Sequence, residues 1–304
     1  MNILQRIWQK IASDRVLLYV RFLLAPKNYK IRSKRVFDYY KDKDIKSLPH
    51  EIREGLSFLK NHKFTAFPFR WTLKYEKLIP VVSFDEINQC FYINYLDKKL
   101  YYKKNFTELH AIWATRSSLK EQDPQSPHLY LTTDFQVEAG SIVVDAGVAE
   151  GNFALSVVEQ AKKLYLIECD AEWMEALKLT FAPWKDKVVF VEKFLSGTND
   201  DTNITLDEML QPDPAEKYFI KMDIEGFEKK ALLGAQKLFS CGCHVKMDIC
   251  TYHFPDDVKN IGDTITNYGF NWKSSDGYIL FFWDGDEPSF RKALIRADNK
   301  RVSN

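Results

Sequence analysis

The sequence has no surplus of charge of either sign: 43 lysines and arginines against 42 acids leave a formal net charge of +1. That gives no general support for a nucleic-acid partner, which calls for a basic surface. No apolar run is long enough to cross a bilayer. The nearest candidate, Val16 to Ala25, is interrupted by Arg21 and falls short of the roughly 20 residues a spanning helix requires. It lacks a small-residue cleavage site, so a secretory signal peptide is not expected. Cysteine is sparse and poorly spaced for structural chemistry: Cys90, Cys169, Cys241, Cys243 and Cys250 make an odd set. Cys241-x-Cys243 lacks the two-residue gap of a zinc or redox pair. We read all five as reduced, in a cytoplasmic protein. Internal repeats and low-complexity tracts are absent. What is left is a 304-residue chain, 45% hydrophobic and 28% charged, with room for one large or two modest domains.

Charge is biased in one place only. Before residue 36, Arg6, Lys10, Arg15, Arg21, Lys27, Lys30, Arg32, Lys34 and Arg35 stand against the single acid Asp14, and Ile3, Leu4, Ile7, Trp8 and Ile11 recur at helical spacing. Two readings are open. The segment is an amphipathic helix that packs on the protein or on a twin subunit in a homo-oligomer, or residues 1–35 make peripheral contact with an anionic membrane.

Residues 1–75 read as a helical N-terminal region broken at Pro26, Pro49 and Pro68. The aromatic stretch Phe64 to Trp71 is either core packing or part of a substrate pocket. Residues 76–135 read as a small β/α element: strands at Val81–Phe84, Cys90–Tyr95 and Lys99–Tyr102, a turn at Leu96-Asp97-Lys98, then a helix from Thr107. The proline-punctuated loop Glu121–Tyr130 follows, and a loop there can fold over a ligand. His128 and Tyr130 are therefore candidate substrate contacts. From 136 to 290 strands and helices alternate, which predicts a mostly parallel sheet with helices on both faces. The segments 270–273 and 278–283, around the turn signal Ser275-Asp276-Gly277, would close it as a hairpin with an antiparallel strand at the edge. Residues 291–304 read as a C-terminal tail.

The organising stretch is Val143-Val144-Asp145-Ala146-Gly147-Val148-Ala149-Glu150-Gly151-Asn152-Phe153. An apolar strand runs into an acid, two glycines and the start of a helix. Gly147 and Gly151 let the backbone turn tightly and approach a ligand, and the helix start at Asn152 aims free N–H groups at the loop. Asp145 would repel a phosphate and suits a ligand with hydroxyls or positive charge. Glu168 ends the next apolar strand at close to the roughly 20-residue offset of ribose-binding acids. The spacing Gly-x-x-x-Gly is not that of a dinucleotide loop, which disfavours a nicotinamide oxidoreductase. It looks like the S-adenosylmethionine loop of class I methyltransferases. In an open α/β sheet the ligand sits at the carboxyl ends of the strands. Asp145, Glu168, the loop holding Ser196, Asp223 and Asp248 all fall on that rim.

Tyr218 to Glu228 is the most distinctive segment, because a buried strand does not normally carry Lys221, Asp223 and Glu225 in alternation. Together, Asp145 to Gly151, Ile167-Glu168, Thr205-Leu206-Asp207 and Lys221-Met-Asp-Ile-Glu-Gly-Phe-Glu228 resemble the FkbM-type S-adenosylmethionine-dependent methyltransferases. Tyr252-His253 with Pro255-Asp256-Asp257 is similar to a downstream motif of that family. The resemblance covers roughly 140 to 285 and departs at Ala149 and Glu150. It implies a class I methyltransferase fold, a Rossmann-like sheet of seven strands, and O-methylation of a sugar, glycan or hydroxylated small molecule. The cofactor would meet Asp145, Gly147, Gly151, Asn152, Glu168, Ser196 and Asp223. A hydroxyl acceptor needs a base, and His253, Asp223 and Glu225 are the groups available; Tyr252 joins the candidate acceptor contacts. Mg²⁺ on Asp223 and Asp248 is a competing idea that the sequence does not favour. A methyltransferase-like scaffold without turnover is the alternative from another class of function.

Overall fold

A computed structural model describes residues 15–283 and 285–300, with side chains from residue 28 onward. The amphipathic reading of residues 3–11 lies outside them. Helix α1 (Arg15–Tyr40) runs through Pro26, where a break was expected. No described helix is long and apolar enough to cross a membrane. The Cys241 and Cys243 side chains, read from sequence as reduced, stand sulfur to sulfur, and both sulfurs also face the Leu238 carbonyl.

The small sheet comes first: β1 (Ser83–Asp85), β2 (Cys90–Tyr95) and β3 (Lys98–Tyr101) form an antiparallel meander. Helix α2 (Glu108–Glu121) follows. Its Thr107 cap accepts from the His110 N–H, and the His110 side chain accepts from the Thr107 N–H, so two otherwise unpaired donors are satisfied.

The main sheet has seven strands. Five are β4 (Ile142–Ala146), β5 (Lys163–Ile167), β6 (Val188–Val191), β9 (Lys217–Met222) and β10 (His244–Cys250), joined in parallel in the order β10-β9-β4-β5-β6; the short β7 (Phe194–Leu195) and β8 (Asn203–Ile204) pair with each other outside it. The near-continuous apolar runs of the five reflect burial on both faces. The antiparallel pairings lie at one edge, as expected, but a different segment makes them. β14 (Leu294–Asp298) inserts between β10 and β11 (Asn271–Ser274) and runs against both. β12 (Ile279–Leu280) pairs instead with β13 (Phe290–Arg291). The stretch read as a tail thus supplies a sheet strand.

Alternation of side chains divides the core. Val144, Ile220, Ile249 and Ile295 pack with Leu232, Leu238 and Ile261 on one face. Val143, Phe219, Cys250 and Leu294 pack with Val36, Leu56 and Phe69 of the N-terminal region on the other. That second face carries charge. Asp145, Lys221, Asp248 and Arg296 are register partners across β4, β9, β10 and β14, and all four are buried. Acids and bases alternate along the row, so each group has an opposite neighbour, while burial pushes the Asp145 and Asp248 carboxyls up.

Candidate active site

Gly147 brings the first loop against the end of β9. Its φ is +73°, and a Cβ there would lie 1.8 Å from the Asp223 carbonyl oxygen. The Asp223 N–H donates to the Ala146 carbonyl at 3.0 Å. Two loops are therefore locked together at the strand ends, and a cavity of about 580 Å³ opens beside them. Gly147, Glu168, Ser196, Asp223 and Glu225 line it, as does Trp173.

At one end Glu168 is held by main chain. Its Oε2 accepts from the Ala149 N–H at 3.0 Å and its Oε1 from the Asp170 N–H at 2.9 Å. A carboxylate oxygen accepts more than one hydrogen bond, so a vicinal diol can still be bound there. The other cofactor candidates serve the frame. Asp145 is 1% exposed and 3.0 Å from the Lys221 Nζ. Gly151 packs on Leu177, and Asn152 Nδ2 donates to the Ser118 Oγ at 2.6 Å. None of these three lines the cavity. Lys221 also donates to the Gly147 carbonyl at 2.7 Å. Burial opposes its charge, but Asp145 and then Asp223 raise its pKa, so the ammonium stays charged.

At the other end Asp223 is a hub. The Tyr252 hydroxyl donates to its Oδ1 at 2.9 Å and the Tyr130 hydroxyl to its Oδ2 at 3.1 Å. His128 Nε2 lies 3.5 Å from Oδ2 and His253 Nε2 lies 3.6 Å from Oδ1. Burial alone would raise the carboxyl, but His128, Lys221 and His253 hold it well below the usual range. Fully buried His253 also sits 3.6 Å from Glu225 Oε2 through Nε2 and 3.3 Å from Glu228 Oε1 through Nδ1. Burial disfavours its charge, yet Glu228, Asp223 and Glu225 outweigh it and raise the imidazole above 6.5. Glu225 is 71% exposed at its side chain, so its carboxyl stays in contact with water while it faces His253.

The loop 121–130 is pinned from behind. Arg296 donates to the carbonyls of Leu129 and Tyr130, and Arg291 donates to those of Tyr252 and His253 at 2.9 and 2.7 Å. Neither arginine was singled out from sequence, nor was Cys250, whose Sγ is 3.6 Å from His128 Nε2. Asp248 does not end a strand beside Asp223. It lies inside β10, buried 3.6 Å from Arg296 Nε, so the Asp223–Asp248 pair for Mg²⁺ is corrected. Ligand-type atoms do converge in two other sets, Asp223/Glu228/His253 and His128/Asp223/Cys250, each within 4.8 Å. In the first, the same carboxylates raise the pKa of the imidazole, so a proton competes with a metal ion for it.

Residues 135–272 match the family model of the methyltransferase FkbM domain. The matched stretch holds the five parallel strands of the main sheet together with Glu168, Asp223 and His253. Among solved structures, methyltransferase FkbM from Methylobacillus flagellatus is similar at 17% identity and a TM-score of 0.43, over 62% of this chain. The chain spans 54% of the length of that relative. Precorrin-6y C5,15-methyltransferase from Geobacter metallireducens is similar at 8% identity and a TM-score of 0.37, over 55% of this chain and 83% of that one. A methyltransferase from Streptococcus mutans, solved in complex with S-adenosylhomocysteine, is similar at 11% identity and a TM-score of 0.35, over 53% and 90%. A comparison with curated proteins finds no match.

Proposed function

We propose that this protein transfers a methyl group from S-adenosylmethionine to a hydroxyl oxygen of a sugar, glycan or hydroxylated small molecule. One observation carries the reading: Glu168 at one end and Asp223 with Glu225 at the other open on the same 580 Å³ cavity. Glu168 would hold the ribose hydroxyls of the cofactor, with Gly147 and Ser196 along its length. When bound, the cofactor supplies an activated methyl on a sulfonium. The protein then has to align the acceptor oxygen and remove its proton.

Asp223 is a weak proton acceptor, because its neighbours keep it ionised. Its task is to receive the hydrogen bond of the acceptor hydroxyl and orient it. The proton passes to the Glu225–His253 pair, where Glu225 faces the cavity and the imidazole stands 3.6 Å behind it. Glu228 and Asp223 stabilise the imidazolium that forms. The same carboxylates raise its pKa, so His253 must first lose a proton, and activity rises with pH.

The test is release of S-adenosylhomocysteine from S-adenosylmethionine with a panel of hydroxylated acceptors, with and without EDTA. Turnover that survives EDTA and is lost in His253→Ala is expected. Cofactor binding with no turnover on any acceptor would favour a scaffold. Activity abolished by EDTA and restored by Mg²⁺ would overturn the base assignment.

A further inference from the structure

A second cavity, of about 550 Å³, backs onto the same hub. Phe281 and Phe67 belong to its lining. The Phe281 ring lies 5.0 Å from that of Tyr252 and 5.6 Å from that of His253, and the Phe67 ring lies 6.5 Å from that of His128. The cavity is therefore one aromatic side chain away from the proton-handling groups. Apart from Leu280 and Phe281, its lining comes from residues before 122, outside the stretch that matches the methyltransferase family. The first cavity is built by the shared domain; this one is built by what precedes it.

Its chemistry differs too. Arg32, Lys63 and Lys120 line it against Glu76 and Glu121. Arg32 is fixed in place. Its Nη2 donates to the Phe282 carbonyl at 2.8 Å, and its guanidinium stacks over Phe64 at 4.9 Å and Phe282 at 4.8 Å. A cation held in advance loses little rotamer freedom when an anion arrives. Burial lowers the pKa of the Lys120 amine, which a bound anion would reverse. Glu121 is already engaged within its own helix, where the Ser117 hydroxyl donates to its Oε1 at 3.1 Å. Phe64 and Phe281 offer aromatic faces, and Thr65 and Ser117 offer hydroxyls.

We propose that this cavity is an acceptor subsite for an anionic substituent, a carboxylate or phosphate, on a hydroxylated ring, with the ring lying across Phe281 and its methylated hydroxyl at the Asp223–Glu225 end. The inference rests on the methyltransferase reading above and adds the charge of the substrate. It makes the N-terminal region, rather than the shared domain, the part that selects the acceptor.

The experiment is ligand-observed NMR on the full chain saturated with S-adenosylhomocysteine, with D-glucuronate, D-glucose 6-phosphate and D-glucose as probes. At least one anionic probe should bind ten-fold or more tighter than glucose, and which one does identifies the anion. The double variant Arg32→Gln/Lys120→Ala should lose that preference while glucose binding stays as it was. Equal binding of the three probes, binding of none, or a preference that survives the double variant would overturn the proposal. Failure to bind S-adenosylhomocysteine at all would instead overturn the methyltransferase reading.

Discussion

The two ends of the main cavity are built from different materials. The Glu168 end is made by the backbone: two peptide N–H groups fix one carboxylate. The Asp223 end is made by side chains, with two tyrosines and two histidines around one carboxylate. A backbone socket has no titrating member besides the acid it holds, so it recognises a ligand across a wide pH range. A side-chain hub responds to every proton taken up or lost within it. Under the proposed function, binding belongs to the first end and proton handling to the second.

The strongest test of that division is His253→Ala. Turnover should fall by about 10²–10⁴, the usual contribution of acid–base catalysis, while cofactor affinity measured by calorimetry stays unchanged. A joint loss of both would show that the two ends are not separable. Next in size is Lys221→Met, which joins the ends by pairing with Asp145 and donating to Gly147. Removing one member of a buried ion pair strands the other, at a cost of about 3–5 kcal/mol. Chemical denaturation should report that loss, and Lys221→Met/Asp145→Leu should recover much of it. If the single variant melts like the native protein, the pair is not a structural tie.

Glu168→Ala acts at the backbone end. It should weaken cofactor binding by about 1.5–3 kcal/mol, the range for hydrogen bonds to a charged group, and leave the pH dependence of turnover where it was. An unchanged dissociation constant would place the ribose elsewhere.

The backbone end was the easier one to read. An apolar run tells where a buried strand stops, so Glu168 and Asp223 were placed on the rim by counting residues. Gly147 was legible because a loop of that tightness needs a residue without a Cβ. Asp145 was misplaced for a related reason. The same counting put it on the rim, but its burial depends on Lys221, a partner on another strand. The hub drew on residues far apart in sequence. Arg296 reaches Leu129 and Tyr130, and nothing local to either segment announces it. Arg296 also concealed β14: a charge in Leu294–Asp298 reads as a polar tail unless Asp248 is known to lie opposite. Glu228 was legible as an acid in a first helical turn, but not as the partner of His253.

The smallest expected effect is also the most discriminating. Glu228 Oε1 faces His253 Nδ1 at 3.3 Å and accepts from the Ile224 N–H at 2.8 Å. Glu228→Gln keeps an acceptor for that N–H and removes only the charge. His253 has a folded-state pKa above its ordinary 6.5, so the pair stabilises the fold below that value, and this contribution fades as pH rises through the raised one. The variant should therefore be destabilised more near pH 6 than near pH 9. Its activity profile should move the opposite way in usefulness: with less negative charge beside it, the imidazole loses its proton earlier, and the rise in turnover shifts to lower pH. A stability difference independent of pH, together with an unmoved activity profile, would mean that His253 is not charged in the folded protein and that Glu225 alone accepts the proton.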